Sequence, residues 1–147
     1  GLSLMDVRSK ARAVKRKAGL DVLIIDYLQL MEAQGDNRNA QIESITRGLK
    51  ALAKELDIPV LALSQLSRES ERRDDKRPVL SDLRDSGAIE QDADVVLFLY
   101  RHEVYERDTE EKGMAEVLIR KHRNGPIGER ALRFVERYAR FEDLDKS

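Results

Sequence analysis

Two helical stripes, three unbroken apolar runs and one alternating pair divide the chain. Over 3–18, Leu4, Val7, Ala11, Val14 and Ala18 recur at intervals of three and four, lining one face of a helix. Ser3 and Asp6 have capping-box spacing, and Gly19 is placed to close that helix. A second stripe, Ile42, Ile45, Leu49, Leu52 and Leu56, predicts a helix over 40–56 with Asn39 as its cap. DVLIID (21–26), VLALS (60–64) and DVVLFLY (94–100) are short, β-branched and bounded by turn signals, as buried strands are. AEVLIRKHR (115–123) and ERALRFV (129–135) flank the dense turn signal NGPIG, which predicts a hairpin.

Strand, long helix, strand with short links is the unit of a parallel sheet. The expected fold is therefore α/β: three parallel strands flanked by helices, with a C-terminal β-hairpin, forming a single domain over 1–147. Between these elements, 32–39 has loop composition, and 67–77 is a charged run that reads as a solvated surface loop. Residues 80–94 are partly apolar and read as helical; 101–113 form a polar, acidic loop ended by Gly113.

Composition narrows the setting. The 147 residues carry 27 Lys and Arg against 28 Asp and Glu, so the net charge of −1 favours no polyanionic partner by itself. The cations are nevertheless clustered, at 8–17, 68–77, 120–123 and 130–140, and such a patch can bind phosphates. With no Cys there are no disulfides or thiolate-held metals, which fits a reducing compartment. No apolar run approaches the ~20 residues that span a bilayer. The expectation is a soluble, cytoplasmic domain, and the lack of an initiator Met suggests that it is incomplete.

Asp26 is the first candidate for chemistry. A carboxylate ending a buried strand at the carboxyl edge of a parallel sheet can hold the water shell of Mg²⁺ beside bound phosphates. Many such aspartates merely cap a loop, and the Gly-x-x-x-x-Gly-Lys-[Ser/Thr] cradle that would decide the matter is absent. Ser64-Gln65 follows the second strand as Asp26 follows the first. An amide there can contact a γ-phosphate or attacking water and report its state to the next loop, or simply cap a loop amide. Lys121 and Arg123, two apart before a turn, suit a phosphoryl clamp or an exposed basic rim. His102 and His122 lack partners at metal spacing and read as surface or hydrogen-bonding residues. Arg84, Asp85 and Gly87 lie between the charged loop and the third strand. Arg84 can meet a nucleic-acid phosphate, and amides near Gly87 can approach a backbone closely. No aromatic residue lies in 64–97, so contact there should be to the backbone rather than by stacking on bases.

Taken in order, LIIDYLQLM, NRNAQIESITRGLKALAKELDIPVLALSQLSRESERR, DKRPVLSDLRDSGAIEQDADVVLFLYR and KHRNGPIG resemble the C-terminal, RecA-like motor domain of the DnaB-type bacterial replicative helicases. The resemblance covers nearly the whole chain, and SDLRDSGAIEQDAD and KHRNGPIG are its most specific parts. It implies that Asp26 supports Mg²⁺ at the ATP site and that Gln65 is the sensor linking phosphate state to the DNA loop. Arg84, Asp85 and Gly87 match the loop that holds single-stranded DNA in a central channel. Asp85 stands where many relatives have Glu. Lys121 and Arg123 match the pair that reaches the neighbouring subunit's ATP, with Arg123 as arginine finger.

Members of that family form six-subunit rings that hydrolyse ATP to move 5′ to 3′ along single-stranded DNA and unwind the duplex at the replication fork, with a primase and a helicase loader as partners. The family's phosphate loop, its lysine, the catalytic glutamate and the primase-docking domain lie upstream of the segments found here. The resemblance thus implies a partial RecA-like domain, expected not to hydrolyse ATP alone. Two other readings stay open: a RecA-like recombination or repair ATPase, and a non-catalytic module for DNA binding or oligomerisation.

Overall fold

The structure, a computed structural model, describes residues 1–83 and 87–144. The chain divides into two compact units, Gly1–Glu69 with Leu80–Ala93, and Ser70–Val79 with Asp94–Ser147.

In the first unit, β1 (Leu2–Ser3) leads directly into α1 (Leu4–Ala18). The capping box forms as expected: Asp6 donates its backbone N–H to Ser3 Oγ at 3.1 Å, and the Ser3 N–H returns to Asp6 Oδ2 at 3.3 Å. Gly19 closes the helix with its N–H on Lys15 O. β2 (Leu23–Ile25) pairs in parallel with β4 (Val60–Ala62), and α2 (Arg38–Leu56) joins them. A second small parallel pair sets β1 against β3 (Met31–Glu32). The cap of α2 is Asn37, not Asn39: its extended backbone and the 2.9 Å bond from the Ala40 N–H to Asn37 Oδ1 bring residues 38 and 39 into the helix.

The stripes meet over part of their length: Val14 and Ala18, expected on the same face of α1, are exposed. Val7 and Ala11 are buried, as are Ile42, Ile45, Leu49 and Leu52. The two helices approach closely where Leu4 packs on Gly48, since a Cβ there would lie 2.3 Å from Leu4 Cδ2. That approach accounts for a glycine in mid-helix, which otherwise costs about 0.5–1 kcal/mol. On the rim, Arg12 grips Glu55 with two bonds of 2.8 and 3.0 Å, holding its carboxyl below the usual range.

The second unit is an antiparallel sheet of four strands, β5 (Val95–Tyr100), β6 (Met114–His122), β7 (Gly128–Val135) and β8 (Arg140–Glu142), in that order. The expected hairpin is its centre, β6 with β7. The run at 94–100, expected as a third parallel strand, instead pairs antiparallel with β6. Its burial alternates: Val96, Phe98 and Tyr100 face the core, while Leu97 and Leu99 stay 50% and 60% exposed. The charged run is also more than a solvated loop. Within 70–79, Ser70 and Pro78 are buried, and Arg77 donates to both oxygens of Glu116 at 2.9 and 3.3 Å while its guanidinium lies 4.8 Å over the Tyr100 ring.

Candidate functional site

β2 ends at Ile25, and Asp26 follows at once, exposed, with a cis peptide to Tyr27. The neighbouring strand ends alongside. Leu63 N–H donates to Ile25 O at 2.9 Å and Leu28 N–H to Leu63 O at 2.8 Å, so the parallel pairing continues past both strands. Asp26 and Ser64-Gln65 therefore stand at the carboxyl ends of adjacent parallel strands, where open α/β sheets place ligands.

A residue that pattern reasoning passed over ties these ends together. Gln29, in the 3₁₀ turn Leu28–Leu30, donates from Nε2 to Ser64 Oγ at 2.9 Å and accepts the Gln65 backbone N–H on Oε1 at 3.1 Å. Arg38, the first residue of α2, donates to Gln29 O at 2.6 Å and also reaches Met31 O and Gln41 Oε1. The available signal was a polar residue interrupting the apolar YLQLM. Its partners lie more than thirty positions away, beyond the reach of spacing arguments.

Just after Gln65 the chain pairs with the residues that precede the candidate DNA segment. Leu66 forms an antiparallel bridge with Leu83, and Ser67 N–H donates to Asp82 O at 2.7 Å. Asp82 is buried. Arg84 and Asp85 lie outside the described residues. Gly87 is exposed and opens α3 (Gly87–Asp92), whose far end is fastened by Thr46 Oγ1 to Asp92 Oδ2 at 2.7 Å. Leu83 and the helix that Gly87 opens both belong to the first unit.

Lys121 and Arg123 belong to the second unit. Lys121 lies in β6 opposite Val96, and Arg123 falls one residue beyond the strand. Asp94 holds Arg123 twice, through Arg123 N–H to Asp94 O and Arg123 Nη1 to Asp94 Oδ1, each at 2.8 Å. The guanidinium remains 47% exposed. His122 shares a bond with Pro126 O and His102 with the Tyr100 hydroxyl, so both histidines are engaged as hydrogen-bonding residues. Among the described residues no three His, Asp or Glu side chains gather as a metal set. A lone exposed carboxylate at a strand end suits an ion carried mainly by phosphates and water, as Mg²⁺ commonly is. No described helix is long and apolar enough to cross a membrane.

Parallel strands joined by α2, with a carboxylate and an amide at adjacent strand ends, define an α/β domain of the RecA-like ATPase type. The chain belongs to the DnaB-like helicase C-terminal domain family, whose model matches residues 1–143. It is 57% identical over 147 residues to the replicative DNA helicase DnaB of Haemophilus influenzae, covering 98% of this chain and 31% of that protein. It is 49% identical to DnaB of Geobacillus stearothermophilus, covering 99% of this chain and 33% of that one. The chain therefore spans about a third of the length of these relatives. A solved DnaB-like replicative helicase, described with its interactions with primase, superimposes with a TM-score of 0.93 at 50% identity, over 99% of this chain and 36% of that one. A solved ATPase domain matches with the same score and identity, over 52% of its length. Membership favours the helicase family over a recombination or repair ATPase.

Proposed function

We propose that the chain is the C-terminal part of a motor domain in an ATP-dependent replicative DNA helicase, a hexameric ring that moves 5′ to 3′ on single-stranded DNA. On this reading both units are parts of one incomplete RecA-like domain over 1–147. The observation that supports it is the short connection from the end of β4 to the residues just before Arg84. Gln65 follows the end of β4 as Asp26 follows that of its parallel partner β2, and two residues later the Ser67 N–H is bonded to Asp82 O, two residues before Arg84 in sequence.

ATP with Mg²⁺, when bound, supplies the phosphoryl group and the cationic charge that offsets it. Asp26 orients the metal's water shell. Gln65 holds an uncharged amide toward the γ-phosphate or attacking water. Lys121 and Arg123 donate to the phosphates of a neighbouring subunit's ATP, Arg123 exchanging its ion pair with Asp94 for phosphoryl oxygens. The Arg84 side chain and the backbone amides of Asp85 and Gly87 hold DNA through its phosphates, so binding is salt-sensitive and largely indifferent to base sequence. The chain contains no Gly-x-x-x-x-Gly-Lys-[Ser/Thr] cradle, and by itself it is not expected to hydrolyse ATP. Primase and a helicase loader are the whole protein's partners, in the bacterial cytoplasm near the nucleoid.

The test is Arg123→Ala in the full-length protein. Nucleotide affinity should persist while turnover falls by on the order of 10³-fold or more, the usual worth of an arginine finger. Normal ATPase from the mutant ring would reject the assignment.

A further inference from the structure

We propose that Gln29 is a positioning residue, locking the chain after Asp26 to the chain after β4 so that Gln65 transmits phosphate state to the DNA segment. This rests on the reading of Gln65 as sensor. The side chain amide is the one group that matches what it meets. Its donor and acceptor are spaced to serve a hydroxyl and a backbone N–H on consecutive residues, Ser64 and Gln65. The Gln29 backbone carbonyl in turn accepts from Arg38 Nη2 at 2.6 Å. The turn that carries Gln29 is further held by Leu28 N–H on Leu63 O, and Leu28 itself is buried. Motion of Gln65 relative to Asp26 must therefore stretch these bonds or carry Gln29 with it. Leu66 and Ser67, bridged to Leu83 and Asp82, take up the displacement on the far side.

Residue 65 is exposed, so water can satisfy its N–H when Gln29 is removed. Loss of Gln29 should then loosen coupling rather than unfold the chain. That separates a positioning role from a merely structural one.

The experiment uses the full-length helicase and measures single-stranded DNA affinity with a non-hydrolysable ATP analogue and with ADP. Their ratio is the coupling between the sites. Gln29→Met keeps the reach without donor or acceptor and should reduce that ratio by about tenfold, within the ordinary range of such couplings. Nucleotide affinity without DNA and the melting temperature should stay near those of the parent. Gln29→Glu keeps the acceptor for Gln65 N–H, loses the donor to Ser64, and should fall between the two. Gln65→Ala serves as reference. A ratio preserved in Gln65→Ala removes the sensor reading and this inference with it. A ratio collapsed in Gln65→Ala but intact in Gln29→Met overturns the inference alone. A Gln29→Met protein that loses nucleotide affinity and melting temperature together with the ratio also overturns it, in favour of a structural role.

Discussion

In the first unit, the edge beyond β2 and β4 is tied by bonds between uncharged groups, Gln29 to Ser64 and Gln65 and the Ser67 N–H to Asp82 O, with Arg38 donating to the Gln29 backbone carbonyl. Two of its ion pairs, Arg12 with Glu55 and Arg47 with Glu43, lie on helix surfaces instead. In the second unit several arginines are held by carboxylates. Arg77 is paired with Glu116, Arg101 with Glu103, Arg120 with Glu129, Arg123 with Asp94 and Arg140 with Glu142. Two of these holds bear on what the chain is proposed to meet. The uncharged Gln29 amide organises the edge after β2 and β4 without adding charge there, and Asp94 orients Arg123, the one of these arginines proposed to meet another subunit's phosphates.

Burial differs in the same way, and the largest effects should appear there. In the first unit the core is a seam between helices, with Ile42 and Ile45 fully enclosed; in the second it is one face of a sheet, with Leu118 fully enclosed. Ile45→Ala and Leu118→Ala should each cost about 2–5 kcal/mol, the range for emptying a buried aliphatic site. Hydrogen exchange reads which unit pays. Ile45→Ala should release amides of α1 and α2 first, and Leu118→Ala those of β5 to β7. Identical exchange profiles for the two variants would end the division into separately organised units.

A smaller effect should follow from Arg77. Its planar fork meets both oxygens of Glu116 while its face covers Tyr100, so Arg77→Met removes a charge-assisted pair and a cation–π contact together. It also leaves Glu116, only 26% exposed, without its main partner. A loss of about 1–3 kcal/mol is expected, with Arg77→Lys restoring only part, because an ammonium cannot reproduce the fork. Urea unfolding followed at Tyr100 checks it. Full rescue by Lys would reduce the contact to a simple charge pair.

These contrasts also explain what was legible in the chain beforehand. Stripes at helical spacing located α1 and α2, and the capping box at Ser3 fell where its spacing put it, because such signals are local. The position of Asp26 and Gln65 at adjacent strand ends followed from strand–helix–strand order alone. The direction of β5 did not. Both of its faces are apolar, Val96, Phe98 and Tyr100 inward and Val95, Leu97 and Leu99 outward, so the alternation that marks a half-buried strand is invisible in VVLFLY. β8 is three residues long and carries no period. The roles of Gln29, Arg77 and Asp94 rest on partners 29 to 39 positions away, which pattern cannot supply. The strand expected over 115–123 ends at His122, one residue short of Arg123.

The last and smallest effect uses acid to separate the units. Glu103 accepts from Arg101 Nη2 at 2.8 Å and from the Gly113 N–H at 3.2 Å, and these bonds hold its carboxyl below the usual glutamate range against the opposing pull of burial. Arg101 is fixed in turn, its guanidinium 3.9 Å over the Phe134 ring and its buried Nε without a hydrogen-bond partner. Because the folded pKa is depressed, the unfolded chain binds the proton more readily. Glu103 therefore stabilises the fold fully above the ordinary glutamate pKa of about 4.3, and that contribution disappears as pH falls through the folded value. The comparable carboxylates of the first unit, Asp6 and Glu55, are also depressed, but they lie at exposed helix positions where solvent screens the gain. Lowering pH below about 4 should thus expose amides of β6 and β7 before those of α1 and α2. Glu103→Gln should flatten this acid dependence at a cost near neutrality of about 1 kcal/mol or less. Earlier opening of the first unit, or an unchanged acid slope in Glu103→Gln, would show that the ion pairs of the second unit do not set its stability.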